Sequence, residues 1–152
     1  MRGGKRCFMT DPDQNARQHA QQFSWPVRVY YEDTDAAGVV YYANYLRYFE
    51  RARTEWLRAL GFEHTELATQ HGVVFVVRSI HGEYFSPARF NDALYISVEP
   101  GEVGASQIVL KQRVLRENDT LVESRVRVAC VNLAAMKPVR IPKQISTKLR
   151  TP

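Results

Sequence analysis

The stretch Val27-Arg28-Val29-Tyr30-Tyr31-Glu32-Asp33-Thr34-Asp35-Ala36-Ala37-Gly38-Val39-Val40-Tyr41-Tyr42-Ala43-Asn44-Tyr45 changes character twice. Over 25–32, Val27, Val29 and Tyr31 alternate with Arg28, Tyr30 and Glu32, which is the period of a strand with two unequal faces. An acidic turn containing Gly38 follows, and Asn44 then stands where a helix N-cap is expected. This order places Asp35 close to the positive end of a helix. The unpaired N–H groups there can hold a developing oxyanion. A carboxylate beside such donors is half of an ester-cleaving site.

Working outward, residues 44–60 read as one long helix ending at Gly61. Tyr45, Phe49, Ala52, Trp56 and Leu60, joined by Tyr48 and Ala59, form its apolar stripe, and Arg51 and Glu55 are spaced as an i,i+4 pair. A short helix at 63–71 stops at Gly72. Four β-rich segments follow at 73–86, 92–103, 105–117 and 120–135, punctuated by Pro87, Asn91-Asp92, Pro100-Gly101 and Glu117-Asn118-Asp119. Connections this short join antiparallel neighbours. The expected class is therefore α+β, an antiparallel sheet of about five strands wrapped around one helix. Pro138 and Pro142 are expected to end regular structure. β-Branched residues at 73–77, 106–110 and 126–131 occupy both strand faces, so a second subunit is expected to cover part of the sheet.

The 152 residues make one domain, 24–147, after an extension expected to be disordered at 1–23 and before a tail at 148–152. The 45% hydrophobic and 24% charged content fits a soluble globular chain, and cytoplasmic location is the simplest expectation. No apolar run reaches the roughly 20 residues of a membrane span. Cys7 and Cys130 form no framework and no CxxC, so neither disulfide nor metal is expected. The net charge of +5 suits a phosphorylated ligand, an anionic membrane surface or an acidic partner. The basic residues are not interleaved with aromatics, so nucleic acid is not expected. Lys137, Arg140, Lys143, Lys148 and Arg150 read first as a solvated basic tail.

Elimination narrows the chemistry. There is no GxSxG elbow, no HExxH, no GxGxxG and no P-loop. His19, His64, His71 and His81 have no ligand spacing and read as surface residues. Carboxylates remain. Asp33 and Asp35 lie two apart in the turn, where acids are common for structural reasons alone. The surrounding Gly38-Val39-Val40-Tyr41-Tyr42 is apolar for a surface turn, and such surroundings would desolvate a carboxylate and strengthen it as a base or nucleophile.

Over residues 24–147 the chain resembles the hotdog-fold acyl-CoA thioesterases of the Tol–Pal-associated (YbgC) type, with the 4-hydroxybenzoyl-CoA thioesterases as broader kin. The resemblance is carried by Trp25 through Asp35, Gly38-Val39-Val40-Tyr41, Glu50-Arg51-Ala52-Arg53-Thr54-Glu55, Phe75-Val76-Val77-Arg78, Pro87-Ala88-Arg89, Met136-Lys137-Pro138 and Ile141-Pro142-Lys143. It implies a hotdog fold and hydrolysis of an acyl-CoA to free acid and thiol. Asp35 would be the catalytic carboxylate, as nucleophile or as general base, and the backbone N–H near Tyr42 would polarise the thioester carbonyl. Tyr31, Tyr42, Asn44, Val77 and Arg78 would contact substrate, and Arg89, Lys137, Arg140 and Lys143 are candidates for the coenzyme A phosphates. The resemblance implies no metal and no cofactor beyond the coenzyme A of the substrate. It also implies a homo-oligomer, dimer or tetramer, with sites between subunits.

An acidic acyl carrier protein is an alternative acyl donor. Relatives of the Tol–Pal type commonly have His where this chain has Tyr42. That departure supports a second reading, a non-hydrolytic acyl-thioester binding or scaffold protein peripheral to the inner membrane. A hotdog hydratase ranks third, because none of the four His lies near Asp35 in sequence.

Overall fold

In the computed structural model, which describes residues 22–150, one sheet curls around one long helix. The chain runs from β1 (Phe23–Arg28) through the 3-10 turn Tyr31–Asp33 to α1 (Asn44–Ala59). A short α2 (His64–Glu66) continues through the wide turn Leu67–His71 and stops at Gly72, whose φ of 64° is left-handed. There follow β2 (Val73–Tyr84), β3 (Ala93–Val103), β4 (Gln107–Arg116), β5 (Asp119–Asn132) and α3 (Lys143–Arg150). The strands pair antiparallel throughout in the order β1-β3-β4-β5-β2. The α+β class and the helix-wrapping sheet are as the sequence predicts, but β2 and β3 are not the neighbours that their short connection led one to expect: β2 pairs with β5 and β3 with β1 and β4, so the chain crosses the sheet between them.

Burial follows the two periodicities. Along α1, Tyr45, Tyr48, Phe49, Ala52, Trp56 and Leu57 are buried against the inner face of the sheet. That face is built from alternate residues such as Ile96, Val98, Ile108, Leu110, Val114, Val126 and Val128. Leu57 replaces Ala59 in the expected stripe, since Ala59 is exposed. One polar residue crosses this interface. Gln112 is 0% exposed, donates through Nε2 to the Phe49 carbonyl (3.1 Å) and accepts from the Arg53 guanidinium (2.9 Å). Buried polar groups need such satisfaction, so Gln112 locks the rotation of α1 over β4.

Four further expectations are corrected. The first strand ends at Arg28 instead of 32, because the Tyr30 N–H donates to the Asp33 carboxylate (2.9 Å) and turns the chain into a 3-10 turn. Asn44 does not cap α1. Ala43 holds that position, and the Asn44 amide donates instead to the Asp33 carbonyl (2.8 Å). Arg51 does not pair with Glu55, which is taken by Arg58 one turn further on. Pro142 does not end regular structure but precedes α3, where a residue without an N–H fits the start of a helix. In α3, Ile145 and Leu149 enter the core four residues apart, and Lys148 and Arg150 donate to the carbonyls of Leu60 (2.8 Å) and Val103 (3.2 Å). The basic end of the chain is thus a core helix with a charged outer side.

β1 and β2 are the edges of the sheet. Pro26 is tolerated because β1 is an edge strand. On β2 the register shifts between Val77 and Ser79, a bulge at Arg78 that turns both Val77 and Ile80 to the inner face. The inner-face residues Val77, Ile80 and Tyr84 remain exposed along this edge.

The anchoring role of α3 is directly measurable. Ile145→Ala should cost about 2–5 kcal/mol in urea denaturation, the range for a buried aliphatic side chain cut to Ala. Lys143→Ala, on the exposed side, should stay within about 0.5 kcal/mol of wild type. Equal losses from the two would contradict the packing.

Candidate active site at the turn before the central helix

The turn 33–44 is held by its own backbone and by one neighbouring segment. Asp35 N–H donates to the Val39 carbonyl and Gly38 N–H to the Asp35 carbonyl (both 2.9 Å), closing a tight loop in which Gly38 takes a φ of 77°. That left-handed conformation is what a glycine supplies without strain. Val39 bridges to Arg89 and Val40 N–H donates to the Ala88 carbonyl (2.8 Å), so the loop is sewn to the 88–92 segment. Ala88 is itself fixed, its N–H donating to the buried Tyr45 hydroxyl (3.0 Å). Asp92 braces the same segment by accepting from the Arg89 N–H (2.9 Å) and the Arg116 guanidinium (2.8 Å).

The two acids of the turn have different occupations. The Asp33 carboxylate is spent on Tyr30 N–H, and its carbonyl accepts both Tyr41 N–H (2.9 Å) and the Asn44 amide. Asp35 is exposed, with one carboxylate oxygen oriented by the Ala37 N–H (2.9 Å) and the other unengaged among the described residues. The expected apolar enclosure of Asp35 is not present within one chain. Tyr41 N–H goes to Asp33 and Asn44 N–H to Tyr41, which leaves the N–H groups of Tyr42 and Ala43 between them without a backbone acceptor among the described residues. An oriented carboxylate and a free N–H at a helix start therefore belong to one hydrogen-bonded turn.

Aromatic rings wall this region. Tyr31 stacks on Phe90 with centroids 4.0 Å apart. Tyr42 tilts on Tyr41 (4.9 Å) and meets Tyr84 edge-on (6.4 Å), while the Tyr84 hydroxyl donates to the Tyr42 carbonyl (3.2 Å). Burial raises the Tyr84 phenol above its ordinary pKa, and burial followed by the nearby Asp33 carboxylate raises Tyr48 well above it. Both phenols are proton-bearing groups at neutral pH. The Tyr48 hydroxyl forms no hydrogen bond among the described residues despite facing that carboxylate.

The other expected residues lie elsewhere. Val77 lines a separate cleft of 140 Å³ between α1 and the inner face of the sheet. Its walls are Trp56, Leu57, Phe75, Ile108, Leu110 and Val128, and its polar margin is Glu50, Arg53, Thr54 and His64. Thr54 Oγ1 donates to the Glu50 carboxylate (2.8 Å) and lies 3.3 Å from His64 Nε2. Arg78 is exposed at the bulge on β2. Of the phosphate candidates, Arg89 adjoins the Asp35 loop through its bridge to Val39. Lys137 and Arg140 are exposed between β5 and α3, and Lys143 begins α3. The Glu50–Thr54–His64 chain and the Tyr84 and Phe90 walls were not anticipated. The i,i+4 spacing of Glu50 and Thr54 on a helix was the available signal for the first of these. Among the described residues no cluster of His, Cys, Asp or Glu could hold a metal ion, and no helix is long and apolar enough to cross a membrane.

A protein-family model, the thioesterase-like superfamily, matches residues 29–149. The chain belongs to this family. It is 48% identical to acyl-CoA thioesterase YbgC of Haemophilus influenzae over 123 residues, 81% of this chain and 90% of that one. It is 46% identical to acyl-CoA thioester hydrolase YbgC of Escherichia coli O6:H1 over 129 residues, 84% of this chain and 96% of that one. Among solved structures, a probable thioesterase from Bartonella henselae superposes with a TM-score of 0.76 at 36% identity, covering 80% of this chain and 99% of that one. The fold is thus the hotdog fold of thioesterases, and the matched region of the family contains the Asp35 turn, α1 and all but the last residue of α3.

The brace at Asp92 has a pH signature. Burial alone would raise this carboxyl, but the Arg89 N–H and the Arg116 guanidinium outweigh it and hold the pKa below the ordinary value. A depressed folded pKa adds stability that is complete above the unfolded value of about 3.9 and is lost as pH falls through the folded one. Arg116→Met should therefore be less stable than wild type at about pH 7, with the gap narrowing toward about pH 3. A gap constant with pH would assign the loss to the Arg116–Pro87 carbonyl contact instead.

Proposed function

We propose that the protein is an acyl-CoA thioester hydrolase in which Asp35 is the catalytic carboxylate and the Tyr42 N–H polarises the thioester carbonyl. The observation that carries this reading is the shared turn. One hydrogen-bond set orients the Asp35 carboxylate through Ala37 and leaves the Tyr42 N–H, with that of Ala43, free at the start of α1. A carbonyl oxygen on that N–H gains a donor that strengthens as negative charge develops, which is the property that lowers an acyl-transfer barrier. Asp35 either attacks the carbonyl carbon, expelling the thiolate and leaving an anhydride that water opens, or takes a proton from the attacking water. Both routes consume one water and yield a carboxylic acid and a thiol. Reaction type follows from the family, and the acyl-CoA substrate class is supported by the similarity to the acyl-CoA thioesterases YbgC. Arg89 stands beside the turn for a ligand phosphate.

The acyl group is assigned to the apolar cleft at Val77 and Phe75, next to the free edge of β2. Association of two copies through that edge would cover Val77, Ile80 and Tyr84 and bring one copy's cleft toward the other's Asp35 turn, giving the carboxylate the enclosure that it lacks in a single chain. A cavity of about 150 Å³ in a protein core takes up benzene, so a cleft of 140 Å³ suits a short aliphatic or single-ring acyl group. A cytoplasmic reaction, with acyl carrier protein as an alternative donor, is part of the same proposal.

Thiol release from a panel of short, long and aromatic acyl-CoAs tests the reading. Asp35→Asn should lower kcat/KM by about 10²–10⁴-fold, the contribution of a positioned acid or base. Tyr42→Phe should remain within a few-fold of wild type, because the proposed donor is the backbone. Release from no acyl-CoA by a folded protein, with binding retained, would favour the non-hydrolytic reading that Tyr42 in place of His suggests.

A further inference from the structure

The outer face of the sheet, turned away from α1, carries charge in an order that folding does not require. Register places Lys111 of β4, Arg125 of β5 and His81 of β2 directly side by side across three strands. Arg127 follows two residues along β5 on the same face, between Val109 and Ser79. With strands about 4.8 Å apart and same-face neighbours about 7 Å apart, the four basic side chains share a patch of roughly 10 by 7 Å. Like charges directly opposite one another destabilise a sheet.

The nearby acids relieve this at Lys111 alone. Glu123 is shared between Lys111 (3.6 Å) and Arg113 (3.4 Å). Glu99, opposite Lys111 in register, forms no ion pair among the described residues. Arg125 and Arg127 are exposed, and neither has an acidic partner among the described residues. The patch is also dished. A basin of 440 Å³ is lined by Ser79, His81, Lys111, Arg125 and Arg127, with Glu102 as its one carboxylate. Gly101 closes one side, where a Cβ would stand 3.1 Å from the Val109 carbonyl oxygen.

We propose that this basin is a phosphoanion site, for a diphosphate or phosphate ester, separate from the Asp35 turn. Two guanidinium forks on one strand offer paired N–H donors in the geometry that a phosphoryl group accepts, and Lys111 adds a point charge. No internal salt bridge of Arg125 or Arg127 has to break on binding. A multiply charged phosphoanion fits such a cluster better than a single carboxylate does. α1, with Asp35 before its start, packs on the opposite face of the sheet, so occupancy leaves the proposed catalytic groups untouched. A free phosphoanion and a lipid headgroup present the same chemistry here.

The test is calorimetric titration of the full chain with inorganic diphosphate at low ionic strength, beside co-sedimentation with phosphatidylcholine vesicles containing phosphatidylglycerol. Saturable binding of one diphosphate per chain is expected. Arg125→Gln/Arg127→Gln should weaken it by at least about 10-fold, given the strength of hydrogen bonds to charged groups. The same double variant should hydrolyse an acyl thioester that lacks the nucleotide at the wild-type rate. Arg113→Gln, outside the basin, should bind as wild type does. Vesicle binding without diphosphate binding, lost in the double variant, assigns the site to a lipid headgroup. Equal binding by wild type and double variant, equal loss in Arg113→Gln, or no binding of either probe overturns the proposal.

Discussion

The structure of the active region depends on Asp33. Its carboxylate takes the Tyr30 N–H and ends β1, while its carbonyl collects Tyr41 N–H and the Asn44 amide and starts α1. One residue thus fixes the exit of a strand and the entry of a helix, and the intervening loop has little freedom left. Asp35 inherits its orientation from that closure. Three backbone contacts of the loop and one from Ala37 then define where its carboxylate points. Positional accuracy of this kind is what an acyl-transfer site requires, since reacting groups must be held near their attack geometry before the reaction begins.

Much of the fold was readable because the signals were long and periodic. The stripe of α1 and the alternation along β3, β4 and β5 are each repeated over several turns or residue pairs, and the structure follows them. What was not readable was decided by a single hydrogen bond or by tertiary context. Asn44 is a good capping residue by type, but its side chain had a better acceptor in the Asp33 carbonyl across the turn. Pro142 is equally compatible with ending a structure and with preceding a helix, and only the burial of Ile145 and Leu149 decides between them. The bulge at Arg78 leaves no mark in composition, yet it sets which face Val77 and Ile80 present.

The candidate site divides in the same way. Asp35 and Tyr42 could be named because strand, acidic turn and helix follow one another closely in the chain. The Glu50–Thr54–His64 margin of the cleft joins α1 to α2, and the rings of Tyr84 and Phe90 arrive from the end of β2 and from the loop after it. Contacts of that kind depend on how elements pack, and no local pattern encodes them. The outer face illustrates a related point, since its row of Lys111, Arg125 and His81 appears only when three strands are set in register.

Cys130 lies on β5 with 0% exposure, and burial raises its thiol above the ordinary pKa. A thiol in that position reacts only when the sheet opens, because it must both meet the reagent and ionise. In the folded protein this residue therefore stays dark to disulfide-exchange dyes, and a colour change from it marks the parting of β5 from its neighbours. The molecule carries an internal stopwatch for its own opening, placed in the strand that joins β4 to the free edge.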